Sequence, residues 1–225
     1  CTHQAIKFEK DAMGFHYPKK EMEKCVGCGL CEKSCPNNIT PVYHKPFSSY
    51  VASAVSSKEQ QTSTSGGLAS VIARHIINNG GVVYGCTSED ARHIRHIRIS
   101  AHKEVDLLKG SKYVQSDVIG IMRSVKEDLN QGLKVLFIGT PCQVAGLLSS
   151  LRKPYNKLFT IDFVCHGVLS QQLFKDIVGH DYPSFQDKPI KINFRYKNEI
   201  GESHYGIRLI SQDNKTIYQD DYPRS

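Results

Sequence analysis

Eight cysteines are spread through 225 residues, and four of them crowd into one stretch. Cys25, Cys28, Cys31 and Cys35, followed by Pro36, are spaced C-x2-C-x2-C-x3-C-P, the run that wraps a [4Fe–4S] cluster. Three thiolates two residues apart lie on one tight loop and can reach three irons of a cube. Gly27 and Gly29 let the backbone curl round the cluster and bring amide N–H groups near its sulfurs. Pro36 then turns the chain away. A structural zinc site is the alternative, although zinc sites usually pair two C-x2-C units far apart in sequence.

The ligand count raises a second question. In two-cluster ferredoxins the fourth cysteine of such a run serves the other cluster. Cys25, Cys28 and Cys31 then need a thiolate from upstream, where Cys1 stands. The stretch Cys1-Thr2-His3-Gln4-Ala5-Ile6 resembles the end of a first ferredoxin motif, with Thr2 where the usual proline would be. Phe15-His16-Tyr17-Pro18 resembles the segment that precedes a second motif. On this reading Cys1 completes the visible cluster, Cys35 serves a second one, and the chain is expected to be a piece of a longer two-cluster protein. The alternative is that Cys35 closes a single local cluster and Cys1 is incidental.

Hydrophobic content of 40% suits a globular core, and no apolar run approaches the ~18 residues that span a bilayer. No signal segment opens the chain. Cysteines concentrated in a metal-type run argue against a disulfide scaffold and for a reducing compartment, so cytoplasmic localisation is expected. The net charge of +7 is modest. Its densest patch, Arg92–Arg98, alternates basic and apolar residues like a half-exposed strand. No recognition motif accompanies it, so nucleic acid is not an expected partner. A docking face for an acidic redox partner or for cofactor phosphates remains open, beside a solvated edge strand whose charges discourage edge pairing.

Periodicity supplies the elements that position this chemistry. Thr40–Gln61 reads as a polar connector carrying a strand at Ser49–Val55. Leu68–Asn79 has helical spacing and is stopped by Asn79-Gly80-Gly81. Val82–Cys86 and Ala91–Ser100 read as strands, and Asp117–Gln131 as a helix capped by Asp117. Lys134–Ile138 is a buried strand, followed by a helix at Val144–Leu151. A further strand at Leu158–Val164 and a helix at Gln171–Val178 complete an α/β rhythm with parallel strands. Extended segments at Ile190–Tyr196, Tyr205–Ser211 and Thr216–Gln219 suggest antiparallel pairing. The fold class is therefore α/β (α+β overall). Residues 1–45 form the ferredoxin-like iron–sulfur segment, and residues 46–225 an α/β domain with a partly parallel sheet and an antiparallel extension.

In such sheets ligands bind beyond the carboxyl ends of the strands. Gly139–Gln143 and Cys165–Gly167 leave two strands at that end, each with a cysteine. Ser63–Gly67 opens a helix with two glycines and three hydroxyls, offering free N–H groups to a phosphate or carbonyl. There is no G-x-G-x-x-G and no Walker sequence.

Five stretches occur in order: Ser65-Gly66-Gly67, Gly81–Gly85, Gly110-Ser111-Lys112-Tyr113-Val114-Gln115-Ser116, Gly139-Thr140-Pro141-Cys142-Gln143-Val144-Ala145-Gly146-Leu147 and Asp162–Gly167. With the cysteine run they resemble the beta subunit of coenzyme F420 hydrogenase/dehydrogenase, from Cys25 to about Phe174. The resemblance implies an FAD-containing iron–sulfur flavoprotein, with two clusters in the full-length parent. It would exchange electrons with a redox partner protein or ferredoxin and with a two-electron substrate, F420 or another. A flavin between one-electron clusters and a hydride acceptor converts one mode into the other.

The cofactor-binding residues expected on that basis are Ser65, Gly66, Gly67, Lys112, Tyr113, Gln115, Ser116, Gly139, Thr140, Pro141 and Cys142. Gln143, Cys165 and His166 are the expected catalytic set, and Cys1, Cys25, Cys28, Cys31 and Cys35 the metal ligands. Each has a plainer reading: Lys112 a solvated lysine, Tyr113 a core ring, Cys142 and Cys165 structural thiols or a disulfide, His166 a satisfied histidine. Cys86 reads as core. A non-catalytic iron–sulfur electron-transfer or assembly module without flavin is the competing function, and a maturation or polysaccharide-linked binding protein a third.

Overall fold

The computed structural model describes residues 1, 3–38, 45–88, 93–181, 183, 191–198, 200–211 and 213–221. An antiparallel hairpin comes first: β1 (Ile6–Lys10) pairs with β2 (His16–Lys20), Phe8 facing Pro18. The Asp11 carboxylate closes its turn by accepting from the Met13 and Phe15 amides at 3.0 and 2.8 Å. The cysteine run follows, with a single helical turn α1 (Leu30–Ser34) and a 3-10 turn at Pro36–Asn38.

The expected strand at Ser49–Val55 does not form. Residues 49–54 are coil, and Phe47, Tyr50, Val51 and Val55 are exposed. Serine here starts a helix instead: the Ser56 hydroxyl accepts from the Glu59 amide and caps α2 (Ser57–Gln61). Then come α3 (Leu68–Asn78), β3 (Val82–Thr87) and β4 (Arg95–Ile99). A 3-10 segment at His102–Leu108 leads towards α4 (Ile121–Asn130). Next are β5 (Val135–Gly139), α5 (Pro141–Leu151), β6 (Leu158–Asp162) and α6 (Gln171–Asp181). The last three strands, β7 (Lys191–Lys197), β8 (Ser203–Ile210) and β9 (Thr216–Asp221), form an antiparallel meander. Among the described residues no helix is long and apolar enough to cross a membrane.

The central sheet has the order β4-β3-β5-β6. β3, β5 and β6 are parallel, and β4 is an antiparallel edge. Period-2 alternation sends Val82, Tyr84, Val135 and Phe137 to one face, against Val125 and Leu129 of α4 and Val144, Leu147 and Leu151 of α5. The other face carries Val83, Leu136 and Ile99 against Ala73 and Ile76 of α3. A third cluster joins Phe174 and Val178 of α6 to Ile192, Phe194 and Leu209 of the meander.

The basic strand is half-exposed as expected, but its charges are put to use. Arg98 grips Asp128 of α4 through Nε at 2.7 Å and Nη2 at 3.2 Å, while the buried Tyr84 hydroxyl donates to the same carboxylate at 2.6 Å. Ala91 and Arg92, where that strand was expected to begin, lie outside the described residues.

Helix α4 begins later than expected. The Asp117 backbone is committed to the sheet edge, its N–H donating to Ile94 and its carbonyl accepting from His96. Its carboxylate turns the chain by accepting from the Ile119 amide at 2.8 Å. Asp117 therefore precedes the helix without capping it, and Gly120, at φ +82°, takes the cap position. Conversely α5 begins earlier, at Pro141, where proline's missing N–H costs nothing.

Candidate functional site

The cysteine loop is built as the spacing requires. Gly27 and Gly29 take left-handed backbone conformations, and a Cβ on either would meet no neighbouring atom, so the chain leaves room on that side of the loop. The Gly27 amide donates to the Cys25 sulfur at 3.5 Å, the kind of N–H···S contact that tunes a cluster. Cys1, Cys28 and Cys31 are exposed, and Cys25 and Cys35 partly buried. Among the described residues no three Cys, His, Asp or Glu side chains gather as a single-ion site. Glycine freedom, an open cradle and an amide on sulfur fit an iron–sulfur cluster. The loop leans on α5: Pro36 sits against Gly146, and the Ser149 hydroxyl donates to the Lys33 carbonyl at 3.4 Å.

At the other end of α5 the loops singled out by sequence meet. Their hub is the segment 109–116. Lys109 Nζ donates to Thr62 Oγ1 at 2.9 Å, and the Ser111 amide donates to Thr64 Oγ1 at 3.1 Å, tying the hub to the loop before α3. The Gln115 amide donates to the Leu169 carbonyl at 2.7 Å, and the Leu169 amide to the Tyr113 carbonyl at 3.0 Å, tying it to the loop after β6. Gln143 Nε2 donates to Ser116 Oγ at 2.9 Å, tying it to the start of α5. All of this lies beyond the carboxyl ends of β3 and β5, where the sheet topology predicts a crevice.

A buried polar cluster lies beside this hub. His96, across from Cys86 in the β3–β4 register, stacks on Phe137 with ring centroids 5.4 Å apart. Its Nε2 meets the Ile138 carbonyl at 3.0 Å and its Nδ1 meets Ser116 Oγ at 2.9 Å. Burial pushes His96 down to about 4, so the ring is neutral near pH 7. Lys112 spends two donors on the carbonyls of Leu108 and Lys109, at 2.8 and 2.7 Å. Burial lowers it to about 8, and the nearby Cys86 thiol, itself pushed up by burial, pulls the other way.

Residues 132–220 match the model that describes the C terminus of the beta subunit of coenzyme F420 hydrogenase/dehydrogenase, and residues 18–39 match a 4Fe-4S binding domain. Those two matches cover the iron–sulfur segment and the C-terminal part of the chain, and they agree with the resemblance to the coenzyme F420 hydrogenase/dehydrogenase beta subunit read from its sequence. The chain is 22% identical over 163 residues to the F subunit of F(420)H(2) dehydrogenase from Methanosarcina mazei, covering 68% of this chain and 46% of that relative. Its fold resembles a chain in the F420-reducing [NiFe] hydrogenase complex from Methanosarcina barkeri, with a TM-score of 0.52 and 13% identity, over 73% of this chain and 57% of that one. The present chain thus spans about half the length of the relatives it matches.

The residues expected from sequence fall into three groups. Ser116, Gly139, Thr140 and Gln143 come together, and Lys112 lies close to His96 and Cys86 beside them. Gln143 Oε1 accepts from the Thr140 amide at 3.0 Å, so the carboxamide is held at both ends. Tyr113 is half-exposed and edge-on to Phe194, and Gln115 is anchored through its backbone.

Gly66 and Gly67 lie close to the chain's own residues. A Cβ on Gly66 would strike Ser53 and Ala52, and one on Gly67 would press on Glu59 and Ser63, so the glycines admit the chain's own backbone. Ser65 is exposed, its carbonyl accepting from Lys197 Nζ at 2.9 Å.

Cys142, Cys165 and His166 are exposed and outside the buried cluster, with the Cys142 sulfur 3.1 Å from Thr140 Oγ1. Pro141 opens the helix. His96 was not among the residues that sequence singled out. The available signal was its inward place in an alternating strand, which by itself marks a core histidine.

Proposed function

We propose that this chain is the relay unit of an iron–sulfur flavoprotein oxidoreductase. It passes electrons between a [4Fe–4S] cluster at the cysteine loop and a two-electron carrier, F420 or a related compound, through FAD bound at the crevice. A cluster supplies single electrons, and a flavin supplies the exchange between single electrons and electron pairs. One observation carries the reading: a single helix, α5, touches both places. Pro36 rests on Gly146, six residues from Thr140, which is roughly 9 Å along a helix axis at 1.5 Å per residue. On this reading the cluster and the flavin would be held about two turns apart on one rigid element.

The chain's own residues have definable tasks. Cys25, Cys28 and Cys31 would hold the cluster with Cys1 or Cys35. Lys112 would place a buried positive charge beside the bound ring system, where it strengthens as water is excluded. The amide end of α5 favours negative charge at the same place. Tyr113, supported edge-on by Phe194, presents an aromatic face at the rim. His166 and Gln143 would meet the two-electron carrier. A redox partner protein or ferredoxin would dock near the exposed cysteine loop, in the cytoplasm.

The test is reconstitution of the full chain with iron, sulfide and FAD under anaerobic conditions. Structured flavin absorption beside the broad cluster shoulder is expected. Lys112→Ala should weaken FAD binding by roughly 1.5–3 kcal/mol, the value of a charge-assisted contact. A brown protein that takes up no flavin would leave a non-catalytic iron–sulfur module as the function.

A further inference from the structure

The iron–sulfur segment meets the rest of the chain at a second place besides α5. Ser170 stands immediately before α6 and is fully buried. Its hydroxyl accepts from the Leu173 amide at 3.0 Å, which caps the helix. The one hydrogen it carries goes to the Met13 carbonyl at the tip of the β1–β2 hairpin, 2.5 Å away. Gly14, also buried, lies flush against the same turn. It sits at φ +81°, and a Cβ built on it would stand 2.2 Å from Gln172 Cβ and 3.1 Å from Ser170 Oγ. Any side chain there would push the hairpin tip off α6.

The neighbours of Ser170 are committed in the other direction. The Leu169 amide donates to the Tyr113 carbonyl, and the Leu169 carbonyl accepts from the Gln115 amide. Gln171 Nε2 donates to the carbonyls of Ile94 and Gln115 at 2.7 and 3.2 Å. Leu169, Ser170 and Gln171 thus form a connector whose outer members grip the segment 109–116 and whose middle member grips the hairpin. The hairpin runs on from Lys20 into the cysteine run at Cys25. The cysteine loop is therefore held from two sides, by α5 through Pro36 and Lys33 and by the connector through Met13 and Gly14.

We propose that Ser170 and Gly14 are positioning residues for electron exchange: through this connector they fix the iron–sulfur segment, and the cluster it would hold, against the segment 109–116. With both contacts made, the iron–sulfur segment cannot turn about either. With the connector contact broken it stays attached through α5 and is free to swing there. A rate set by the separation of two centres is sensitive to such movement, since a displacement of 1 Å can cost roughly 100-fold. This deepens the function proposed above and rests on it for the reaction, whereas the two-sided attachment rests only on the hydrogen bonds and the Gly14 contact.

Three variants of the full chain test it. Gly14→Ala breaks the contact from the hairpin side and leaves the cap of α6 alone. Gln172→Gly removes the atom that the new methyl strikes, so Gly14→Ala combined with Gln172→Gly should close the contact again. Ser170→Ala removes the donor itself. In protein loaded with iron and sulfide, amide hydrogen exchange in the hairpin should quicken about tenfold in Gly14→Ala and in Ser170→Ala, and return most of the way in the double variant. The Gln115 amide, bonded to Leu169, should keep its protection in Gly14→Ala and in the double variant. With FAD added, Gly14→Ala should pass electrons from cluster to flavin about tenfold more slowly at unchanged iron content and unchanged cluster potential, with recovery in the double variant. Hairpin exchange at the wild-type rate in Ser170→Ala would overturn the connector even if Gly14→Ala fails to fold. A loosened hairpin with unchanged electron transfer would overturn the positioning role. If the wild-type chain takes up no FAD, the flavin reading fails and the positioning role falls with it, while hydrogen exchange still decides whether the connector holds the hairpin.

Discussion

Replacing Lys112 with methionine should leave the flavin-free protein as stable as the wild type or more so, although the residue makes two good hydrogen bonds. Burial lowers the lysine from 10.5 to about 8, which corresponds to roughly 3 kcal/mol spent on holding its charge at pH 7. Methionine removes that cost and leaves the Leu108 and Lys109 carbonyls without this donor, a loss of about 1 kcal/mol each. The balance is about 1 kcal/mol in favour of the variant. The pH dependence gives a sharper test. Below about pH 8 the lysine is protonated folded and unfolded, and the cost is present in full. Between about 8 and 10.5 the folded lysine loses its proton first, the unfolded chain binds more protons, and wild-type stability rises with pH. Cys86 acts in the opposite sense above its ordinary value of 9.0, because burial holds its thiol protonated in the folded chain. The comparison is therefore best made in a Cys86→Ala background, by urea unfolding of the flavin-free protein from about pH 7 to 10. The wild-type lysine should gain stability relative to methionine across that range by a sizeable part of those roughly 3 kcal/mol. A methionine variant more than about 2 kcal/mol less stable at pH 7, or parallel pH profiles, would refute the reasoning.

Asp128→Ala should cost about 3 kcal/mol in urea unfolding, since it strands the buried Tyr84 hydroxyl and half-exposed Arg98 together. Burial would raise the Asp128 carboxyl, but hydrogen bonds from Arg98 and Tyr84 outweigh it and hold the group below its usual 3.8. Its contribution is therefore complete above about pH 4 and should vanish as pH falls further, as melting curves will report. If cluster ligation is crossed, Cys1→Ser should empty the cluster of Cys25, Cys28 and Cys31 while Cys35→Ser spares it; iron and sulfide counts that come out the other way would assign Cys35 locally. His166→Ala, at an exposed position, should slow reduction of an external two-electron acceptor in stopped flow while leaving FAD and iron content unchanged, and unchanged rates would place the acceptor elsewhere.

The α/β framework was legible because it is written in period. Continuous apolar runs at Val82–Cys86 and Lys134–Ile138 became β3 and β5, and the helical stripe of Leu68–Asn79 became α3 within a residue. The cysteine loop was legible from spacing, and the amide of Gly27 does approach a sulfur. What failed was local chemistry decided by distant partners. Ser49–Val55 has strand composition but no strand beside it, and Ser56 caps a helix. Asp117 has the composition of a cap, yet its backbone is already spent on Ile94 and His96. His96 joins the buried polar cluster only because β5 brings the Ile138 carbonyl, 42 residues later, within 3.0 Å.

Exchange of electrons between the cysteine loop and the crevice along α5 is tested most directly by anaerobic stopped flow on the full chain loaded with cluster and FAD, supplied with a limiting one-electron reductant. Cluster absorbance should bleach first and recover as flavin absorbance falls, with two electrons consumed for each flavin reduced. Flavin that stays oxidised beside a reduced cluster, or that is reduced at the same rate when Cys28→Ser has removed the cluster, would contradict the relay.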